Sequence, residues 1–397
     1  MRKLLVLGST GSVGHSTLDV AARHAERVAV VGLAAHHDVE TLFGQIRRFR
    51  PPRVALADLG AAARLRAQLR VTGQPCEVLE GPDAVIALAA AADSDTVMSA
   101  IVGAAGLAPT RAAIGAGKRV LIANKEPLVM AGDLMMREAQ AHRATIIPID
   151  SEHNAIFQCL PEGYACGQAP RGVRRLVLTA SGGPFREWSR EQLAAVTPEQ
   201  AVRHPNWAMG PKISVDSATL MNKGLELIEA RALYRLSSEH LDVVIHPESI
   251  VHSLVEYVDG SLLAQLGQPD MRVPIAHALA WPERWGSGVD GLDLARLGQL
   301  RFAPPDVARF PCLGLARAAL EAGGNLPNVL NAANEVAVGA FLEGRMGFMG
   351  IAAMVDQCCS DAAGADLGEP ADIETVLDVD LWARRRCHDL LRGATHA

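Results

Sequence analysis

Short runs of valine, isoleucine and leucine alternate with longer alanine-rich segments throughout residues 1–150. The runs lack the polar alternation of half-exposed strands, so they predict strands that helices cover on both faces. Such a succession of strands and helices is typical of an α/β fold with a doubly wound parallel sheet. The predicted strands are Lys3–Leu7, Val28–Leu33, Val54–Ala57, Thr96–Ala100, Val120–Ala123 and Thr145–Ile149.

The rest of the chain divides into three further segments. Residues 151–285 combine a helix near Asn222–Tyr234 with short strands, which predicts an α+β domain. Prolines and glycines make residues 286–311 an ordered linker with one short element, and helical periodicity over 312–397 predicts a helical bundle. The predicted strands are Leu176–Thr179, Val243–Ile245, Ser249–Tyr257 and Leu262–Leu266, and the predicted bundle helices cover 312–323, 328–343, 347–362 and 371–392.

The composition excludes several classes of protein. With 49% hydrophobic and 21% charged residues, the 397-residue chain can bury a substantial core. A net charge of −6 and only 4% aromatic residues argue against a nucleic-acid partner. The longest apolar stretches, such as Ala84–Ala92, fall short of the roughly 18 residues that cross a bilayer, so no membrane segment is expected. Seven scattered cysteines without a C-x-x-C motif predict free thiols in a reducing compartment, and therefore a cytoplasmic protein.

A glycine-rich loop, GSTGSVG at residues 8–14, follows the first predicted strand and precedes a helix predicted over Ser16–Ala25. Glycines permit a tight turn, and the amides at the start of a helix can hold a pyrophosphate. The spacing is G-x-x-G-x-x-G rather than G-x-G-x-x-G, and a merely tight turn is the alternative. Strand, loop and helix stand in register, which favours a dinucleotide site.

His36, His37 and Asp38 follow the second predicted strand, where such folds contact the adenosine ribose. An aspartate there favours the free 2′-hydroxyl of NAD, whereas protonated histidines would neutralise the 2′-phosphate of NADP. A polar loop tip without a ligand has the same composition. The residues alone therefore leave NAD and NADP open.

Carboxylates gather where the sixth predicted strand ends. Asp150 and Glu152 would project to the same side if the backbone there is extended, and Asn222 and Glu226 would share one face of a helix, with Lys223 beside them. Carboxylate oxygens without clustered cysteine or histidine favour Mg²⁺ or Mn²⁺. The alternative is helix capping and surface charge.

Hydroxyl, amide and ammonium groups near these carboxylates predict a phosphate pocket. Ser181 precedes two glycines after a predicted strand, and with Ser217, Asn222 and Lys223 it would suit a small phosphorylated metabolite. Between them, residues 203–211 carry Trp207 among prolines and glycine, which fits a lid that excludes water.

Three further residues lie next to predicted strands. Lys125 follows the fifth strand, on the side expected for cofactor and substrate, where it could orient a substrate oxygen. His246 and His252 flank a loop without any repeated ligand spacing, so we expect both to be structural.

Together these motifs resemble those of the 1-deoxy-D-xylulose 5-phosphate reductoisomerase family over essentially the whole chain. The motifs are GSTGSVG at 8–14, IVGAAGL at 101–107, ANKE at 123–126, DSEHNAIFQ at 150–158, TASGGPF at 179–185, HPNWAMG at 204–210, KISVDSATLMNKGLELIEA at 212–230, HPESIVHS at 246–253 and LNAANE at 330–335.

The resemblance implies a homodimeric, NADPH- and divalent-metal-dependent enzyme that makes 2-C-methyl-D-erythritol 4-phosphate for isoprenoid synthesis. It implies an NADPH-binding Rossmann-like domain over 1–150 and a catalytic and dimerisation domain over 151–285. The family often carries a glycine, a basic residue and an asparagine where this chain has His36, His37 and Asp38.

The same resemblance implies roles for individual residues. The metal, Mg²⁺ or Mn²⁺ with Co²⁺ as a further option, would be held by Asp150, Glu152 and Glu226. Lys125, Glu152 and His204 would be catalytic, and the substrate would contact Lys125, Ser151, Glu152, Ser181, His204, Trp207, Ser217, Asn222, Lys223 and Glu226. The cofactor would contact Thr10, Gly11, Ser12, Val13, Asn124, Glu126 and Gly210.

Two other functions share the predicted fold: a different NADP-dependent dehydrogenase of a small phosphorylated carbonyl compound, and a non-catalytic dinucleotide sensor. Neither needs three carboxylates beside a phosphate pocket, so the residues favour the reductoisomerase. We hypothesise that the metal binds the substrate's carbonyl and hydroxyl oxygens, that Glu152 and Lys125 manage proton transfer, and that NADPH then delivers hydride.

Overall fold

In the computed structural model, which describes residues 1–203, 207, 210–365 and 367–394, seven parallel strands form the sheet predicted for the first 150 residues. The strands are β1 (Arg2–Leu7), β2 (Val28–Ala35), β3 (Arg53–Leu56), β4 (Glu77–Glu80), β5 (Thr96–Ser99), β6 (Arg119–Ile122) and β7 (Thr145–Pro148). Their order across the sheet is β4-β3-β2-β1-β5-β6-β7. The predicted α/β class is therefore confirmed.

Seventeen helices are described. They are α1 (Ser12–Arg23), α2 (Val39–Phe49), α3 (Leu59–Thr72), α4 (Pro82–Ala90), α5 (Leu107–Gly115), α6 (Glu126–Ala141), α7 (Ser151–Cys159), α8 (Arg190–Ala194), α9 (Pro198–Ala201), α10 (Pro211–Thr219), α11 (Met221–Tyr234), α12 (Arg272–Ala280), α13 (Leu294–Leu297), α14 (Cys312–Ala322), α15 (Leu326–Leu342), α16 (Phe348–Ala363) and α17 (Ile373–Ala394). Among the described residues, no helix is both long and apolar enough to cross a membrane.

The first sheet is buried on both faces, as its uninterrupted apolar strands predict. Leu5 and Leu7 of β1 join one hydrophobic core, while Leu4 and Val6 join a second core on the other face. Strand β4 was not predicted, because its sequence, EVLE, is charged at both ends. It lies at the edge of the sheet, where fewer apolar residues are needed.

The chain reverses its direction of growth across the sheet between β1 and β5. Doubly wound folds bind ligands at this switch point, beyond the carboxyl ends of the strands. Gly8 has a φ of +79°, and a Cβ there would lie 2.5 Å from the carbonyl oxygen of Ala100. The glycine therefore allows the loops after β1 and β5 to pack directly against each other.

A second sheet contains β8 (Val173–Ala180), β9 (Leu241–Ile245), β10 (Val251–Tyr257) and β11 (Leu262–Leu266). Its order is β11-β10-β8-β9; β10 is antiparallel to both neighbours, and β8 is parallel to β9. The linker holds the short helix α13, and Ala303 pairs with Ile245 through backbone hydrogen bonds of 2.8 and 2.9 Å. This pairing fixes the linker to β9.

The four predicted bundle helices are observed as α14 to α17. Helix α15 lies at their centre and also packs against α6 and α10. The C-terminal helices therefore touch both the first domain and the central domain.

The prediction of extended backbone across Asp150 and Glu152 is wrong. Strand β7 ends at Pro148, Asp150 precedes the first residue of α7, and Glu152 lies in its first turn. The two carboxylates still come together, because a residue that precedes a helix and a residue in its first turn lie at the same helix end.

Candidate active site

A cavity of about 360 Å³ opens at the carboxyl edge of the seven-stranded sheet, where it meets the central domain. Its walls come from the start of α1, the segments after β6, β7 and β8, and the helices α10 and α11. The cavity brings together the predicted residues Ser12, Val13, Lys125, Asp150, Ser151, Glu152, Ser181, Trp207, Gly210, Ser217, Asn222, Lys223 and Glu226.

Three carboxylates form the centre of the cavity. Asp150, Glu152 and Glu226 each place an oxygen atom within 4.8 Å of the others. Glu226 is buried in α11, and the other two come from the start of α7. Like charges this close repel one another unless a cation lies between or beside them.

Two buried lysines supply positive charge to this cluster. Lys125 Nζ lies 2.7 Å from Asp150 Oδ2 and 3.2 Å from Glu226 Oε1. Lys223 Nζ lies 3.0 Å from Glu152 Oε1 and also contacts Glu226. Three carboxylates thus face two ammonium groups, which leaves the cluster with an excess of negative charge when all five are ionised.

The contacts of Asn222 confirm the prediction that Asn222 and Glu226 share one face of a helix. Its Nδ2 donates to Glu226 Oε1 at 2.6 Å, and its Oδ1 accepts from Lys125 Nζ at 2.7 Å. The i, i+4 spacing on α11 thus orients the carboxylate of Glu226 towards the other two.

The surroundings shift the pKa values of the clustered side chains in different directions. Burial would lower the pKa of Lys125, but Asp150 and Glu226 outweigh it and hold this pKa well above its ordinary value. Burial and the charge of Glu226 raise the pKa of Glu152. Burial would also raise the pKa of Asp150, but Lys125 holds it below its usual range. Such a separation is typical of groups with different roles in proton transfer.

The donor set fits a hard divalent cation. Carboxylate oxygens are the ligands that Mg²⁺ and Mn²⁺ prefer, and the three carboxylates converge on one point without a cysteine ligand. A second group, Asp150 with His153 and Glu229, is equally compact, but His153 and Glu229 are fully buried behind the cavity. The group that faces the cavity is therefore the better metal site.

The side chains predicted to bind a phosphate, Ser181, Ser217, Asn222 and Lys223, all line the cavity. Ser181 Oγ accepts from the amide of Gly183 at 3.2 Å, which forms the expected turn. Gly183 has a φ of +72°, and a Cβ there would lie 2.7 Å from the carbonyl oxygen of Ser217. Glycine at this position thus lets the β8 loop approach α10 and brings Ser181 and Ser217 into the same wall.

The wall expected to bind the cofactor includes the start of α1, which begins at Ser12, earlier than the predicted Ser16. Gly11 precedes the helix and provides no side-chain cap, so the first amides remain available to an anion. Ser12 and Val13 line the cavity, whereas Thr10 and Gly11 lie in the loop before it.

Asn124 and Glu126 lie outside the cavity wall. Asn124 donates to the carbonyl oxygens of Ile101 and Gly103, the latter at 3.0 Å, and so holds the loop after β5. Glu126 pairs with Lys212 at 2.7 Å. Their predicted contact with the cofactor stays a prediction.

The residues after β2, where we expect the adenosine ribose, form a helix start. Asp38 Oδ1 accepts from the amide of Thr41 at 3.1 Å and caps α2. His36 and His37 are exposed, and their Nδ1 atoms lie 3.0 Å apart. The carboxylate of Asp38 thus caps α2, and the imidazoles of His36 and His37 are the side chains exposed to solvent after β2.

His204 lies outside the described residues, so its predicted role stays a prediction. Trp207 lines the cavity, and its ring centre lies 6.1 Å from that of His252, which also lines it. Sequence reasoning left His252 out of the site, because no ligand spacing marks it. His246 is structural, as predicted: it accepts from the amides of Ile250 and Val251.

Several other cavity residues were also missed: Ser16, Ile213, Leu220, Ser249, Asp270 and Met271. They come from elements that meet only in the folded chain, and no motif or ligand spacing marks them.

Three family models match the chain. The model for 1-deoxy-D-xylulose 5-phosphate reductoisomerase matches residues 4–132, and two models for C-terminal domains of that enzyme match residues 146–234 and 266–386. A protein of Laribacter hongkongensis named 1-deoxy-D-xylulose 5-phosphate reductoisomerase is 56% identical over 385 residues, which are 97% of this chain and 98% of that protein. The chain belongs to the 1-deoxy-D-xylulose 5-phosphate reductoisomerase family.

Solved reductoisomerase structures share the whole fold. A DOX-P reductoisomerase in complex with NADPH, fosmidomycin and magnesium has a TM-score of 0.95 and 46% identity, and the match covers 100% of this chain and 99% of that one. The Zymomonas mobilis reductoisomerase in complex with NADPH has a TM-score of 0.89 and 45% identity, with 98% and 99% covered. The family predicted from the sequence motifs is therefore confirmed.

Proposed function

We propose that this member of the reductoisomerase family converts 1-deoxy-D-xylulose 5-phosphate to 2-C-methyl-D-erythritol 4-phosphate with NADPH and Mg²⁺. One observation carries the proposal: the carboxylate trio, the phosphate-binding side chains and the start of α1 open into the same cavity. Solved relatives bind NADPH and magnesium, in agreement with this assignment.

We assign the metal to Asp150, Glu152 and Glu226. A divalent cation bound there would polarise the carbonyl and hydroxyl oxygens of the substrate and stabilise negative charge on them. Ser151, in the first turn of α7, donates its hydroxyl to Glu152 and so orients that carboxylate.

We assign the substrate phosphate to Ser181, Ser217, Asn222 and Lys223. The serines and the asparagine supply neutral donors, and the buried ammonium of Lys223 supplies charge. Because α10 and α11 are consecutive, Ser217 and Lys223 keep a fixed separation, which anchors one end of the substrate relative to the carboxylates.

Lys125 and Glu152 have complementary roles in proton transfer. Lys125 presents a buried ammonium group in the cavity, and we assign it to donate hydrogen bonds to a substrate oxygen. Glu152 lines the same cavity, and we assign it to accept and return a proton. His204 keeps its predicted catalytic role, and Trp207 covers the cavity and excludes water.

The experiment that tests the proposal follows NADPH oxidation in the presence of 1-deoxy-D-xylulose 5-phosphate and Mg²⁺. The assay is repeated with Mn²⁺, with Co²⁺, with a chelator and with NADH, and the product is identified by chromatography. We expect oxidation that requires the metal and yields 2-C-methyl-D-erythritol 4-phosphate. A folded protein that oxidises no NADPH under any of these conditions would contradict the proposal.

We also propose a homodimer that forms across β11. This strand lies at the edge of the second sheet, and Leu262, Leu263 and Leu266 are exposed on it. An open apolar edge favours pairing with another strand, and a second copy related by a two-fold axis would continue the sheet. Sedimentation velocity should show a dimer that Leu263→Lys weakens; a monomeric wild-type protein at micromolar concentration would contradict this.

The domain boundaries and the location complete the proposal. Residues 1–150 bind NADPH, 151–285 carry catalysis and dimerisation, 286–311 are the linker, and 312–397 form the C-terminal helical domain. The seven cysteines are free, which supports a location in a reducing cytoplasm.

A further inference from the structure

Lys212 lies on α10, on a stripe of the helix that does not line the cavity. Ile213 and Ser217 of this helix line the cavity, whereas Lys212 and Asp216 pair with each other one turn apart. Lys212 Nζ is 2.9 Å from Asp216 Oδ2 and 2.7 Å from Glu126 Oε1. One ammonium group therefore joins the central domain to the first domain.

Glu126, the partner of Lys212 in the first domain, lies next to the active site. Glu126 is the first residue of α6 and directly follows Lys125. Lys125 contacts Asp150, Asn222 and Glu226 in the cavity. The pair between Lys212 and Glu126 thus fixes α10, which carries Ser217, against the peptide that carries Lys125.

Asp216, the other partner of Lys212, is held by a C-terminal helix. Asn334 of α15 donates from Nδ2 to Asp216 Oδ1 at 2.8 Å, and both side chains are buried. The next residue, Glu335, pairs with Arg384 at 2.6 Å and lies against Gly103 in the loop after β5. Helix α15 therefore contacts α10 and the cofactor side of the first domain at the same time.

The ionisation of Glu126 depends on the charge of Lys212. Burial would raise the pKa of Glu126, but Lys212 outweighs it and holds this pKa below its ordinary value. Without Lys212, two buried carboxylates would face each other with no cation between them, and α10 would move away from α6 to separate them. Ser217 and Ile213 would move with the helix.

We propose that Lys212 is a positioning residue of the active site, which holds α10 against α6 so that Ser217 and Lys125 face the substrate together, while Asn334 orients its partner Asp216. This inference rests on the proposed function. It gives the C-terminal helices a part in catalysis although none of the residues described there lines the cavity.

The test compares Lys212→Met with Lys118→Met, a control at a buried lysine that directly precedes β6 and does not line the cavity. For each variant, the measurements are kcat, the KM for 1-deoxy-D-xylulose 5-phosphate, the NADPH dissociation constant by fluorescence, fosmidomycin binding by calorimetry, and the melting temperature. We expect Lys212→Met to raise the KM and the fosmidomycin dissociation constant by about tenfold or more, with NADPH affinity unchanged. Lys118→Met should lower only the melting temperature.

Two further variants complete the test. Lys212→Arg keeps the charge and should restore substrate affinity, and Asn334→Ala should shift the KM in the same direction as Lys212→Met by a smaller factor. A Lys212→Met enzyme with a lowered melting temperature and a wild-type KM would overturn the proposal, as would failure of the arginine variant to restore affinity.

Should Lys212→Met not fold, Glu126→Gln decides, since it removes one arm of the pair and leaves no unpaired acid there. A raised KM supports the proposal, and a wild-type KM overturns it. Fosmidomycin binding separates this inference from the proposed function, because a wild-type protein that binds fosmidomycin without converting the substrate would refute only the proposed function.

Discussion

A buried lysine lies beyond each end of β6, and the two lysines differ in the groups that accept hydrogen bonds from them. At the amino end, Lys118 donates to the carbonyl oxygen of Ala91 and to Ser94 Oγ, which are neutral acceptors. Near the carboxyl end, Lys125 faces Asp150 and Glu226. Burial lowers the pKa of Lys118, whereas the pKa of Lys125 is raised well above its ordinary value, since the two carboxylates outweigh burial.

The difference extends to the two ends of the strands in the first sheet, which are called here its amino edge and its carboxyl edge. At the amino edge, Arg2 and Arg119 donate to the carbonyl oxygen of Trp281, at 2.9 and 2.8 Å, and so fasten the end of α12 to the sheet. At the carboxyl edge, charged groups converge on a cavity instead. Burial of a charge alone thus does not mark a functional residue; ion pairing that opens into a cavity does.

The largest expected effect comes from the carboxyl edge. Glu226→Gln removes one carboxylate from the proposed metal site while the side chain keeps its shape. We expect kcat/KM for 1-deoxy-D-xylulose 5-phosphate to fall by about a thousandfold, because charge stabilisation in the transition state is lost. Steady-state NADPH oxidation at saturating Mg²⁺ measures this, and near-normal activity would remove Glu226 from the metal site.

A pH effect is expected from α12, the helix whose end is fastened to the amino edge. His277 of α12 is buried against Asn154, and burial lowers its pKa to about 4. The folded state therefore favours neutral imidazole, so this contribution to stability is complete above pH 6.5, the ordinary pKa, and is lost as the pH falls towards 4. We expect His277 to account for about 2 kcal/mol of the stability lost between pH 7 and pH 5.

Urea unfolding of the wild type and of His277→Asn at both pH values checks this prediction. The variant should lose less stability on acidification, and an equal loss in both proteins would contradict it.

A smaller effect is expected for Lys118→Met. Loss of the hydrogen bonds to Ala91 and Ser94 should cost about 1–2 kcal/mol of unfolding free energy, since the two acceptors are left without this donor. The melting temperature measures the loss, and kcat/KM should stay at the wild-type value. A strong loss of activity would show that the two edges of the sheet do not differ in function.

The smallest effect concerns an acid on the carboxyl edge that is engaged in a helix cap. Asp38→Ala should destabilise the protein by about 1 kcal/mol, because Asp38 caps α2, whereas Asp38→Asn should retain the cap. We expect both variants to keep the wild-type preference for NADPH over NADH, measured by fluorescence titration. A changed preference would place Asp38 at the ribose.

Sequence reasoning predicted six of the seven strands of the first sheet, because strands buried on both faces need continuous apolar runs. The exception, β4, has two glutamates in four residues and lies at the edge. The pairing of Asn222 with Glu226 was also predictable, since helical spacing alone sets it.

Other features depend on contacts between distant parts of the chain. Helical i, i+4 spacing pairs Lys212 with Asp216, but no pattern near Lys212 indicates that its other partner is Glu126, or that Asn334 holds Asp216 from 118 residues further along. The sequence also did not indicate that α7 begins so soon after β7. The few residues between a strand and the following helix fit either element.

The bond between Asn334 and Asp216 has a consequence for biosynthesis. A ribosome adds about 5–20 residues per second, so the 118 residues between these partners take roughly 6 to 24 seconds to make. During that interval the emerging chain holds Asp216 without its amide donor, and α10 has no C-terminal helix to rest on. Helix α10 therefore gains its contact with α15 only after residue 334 has been made, well after the nucleotide-binding sheet can form.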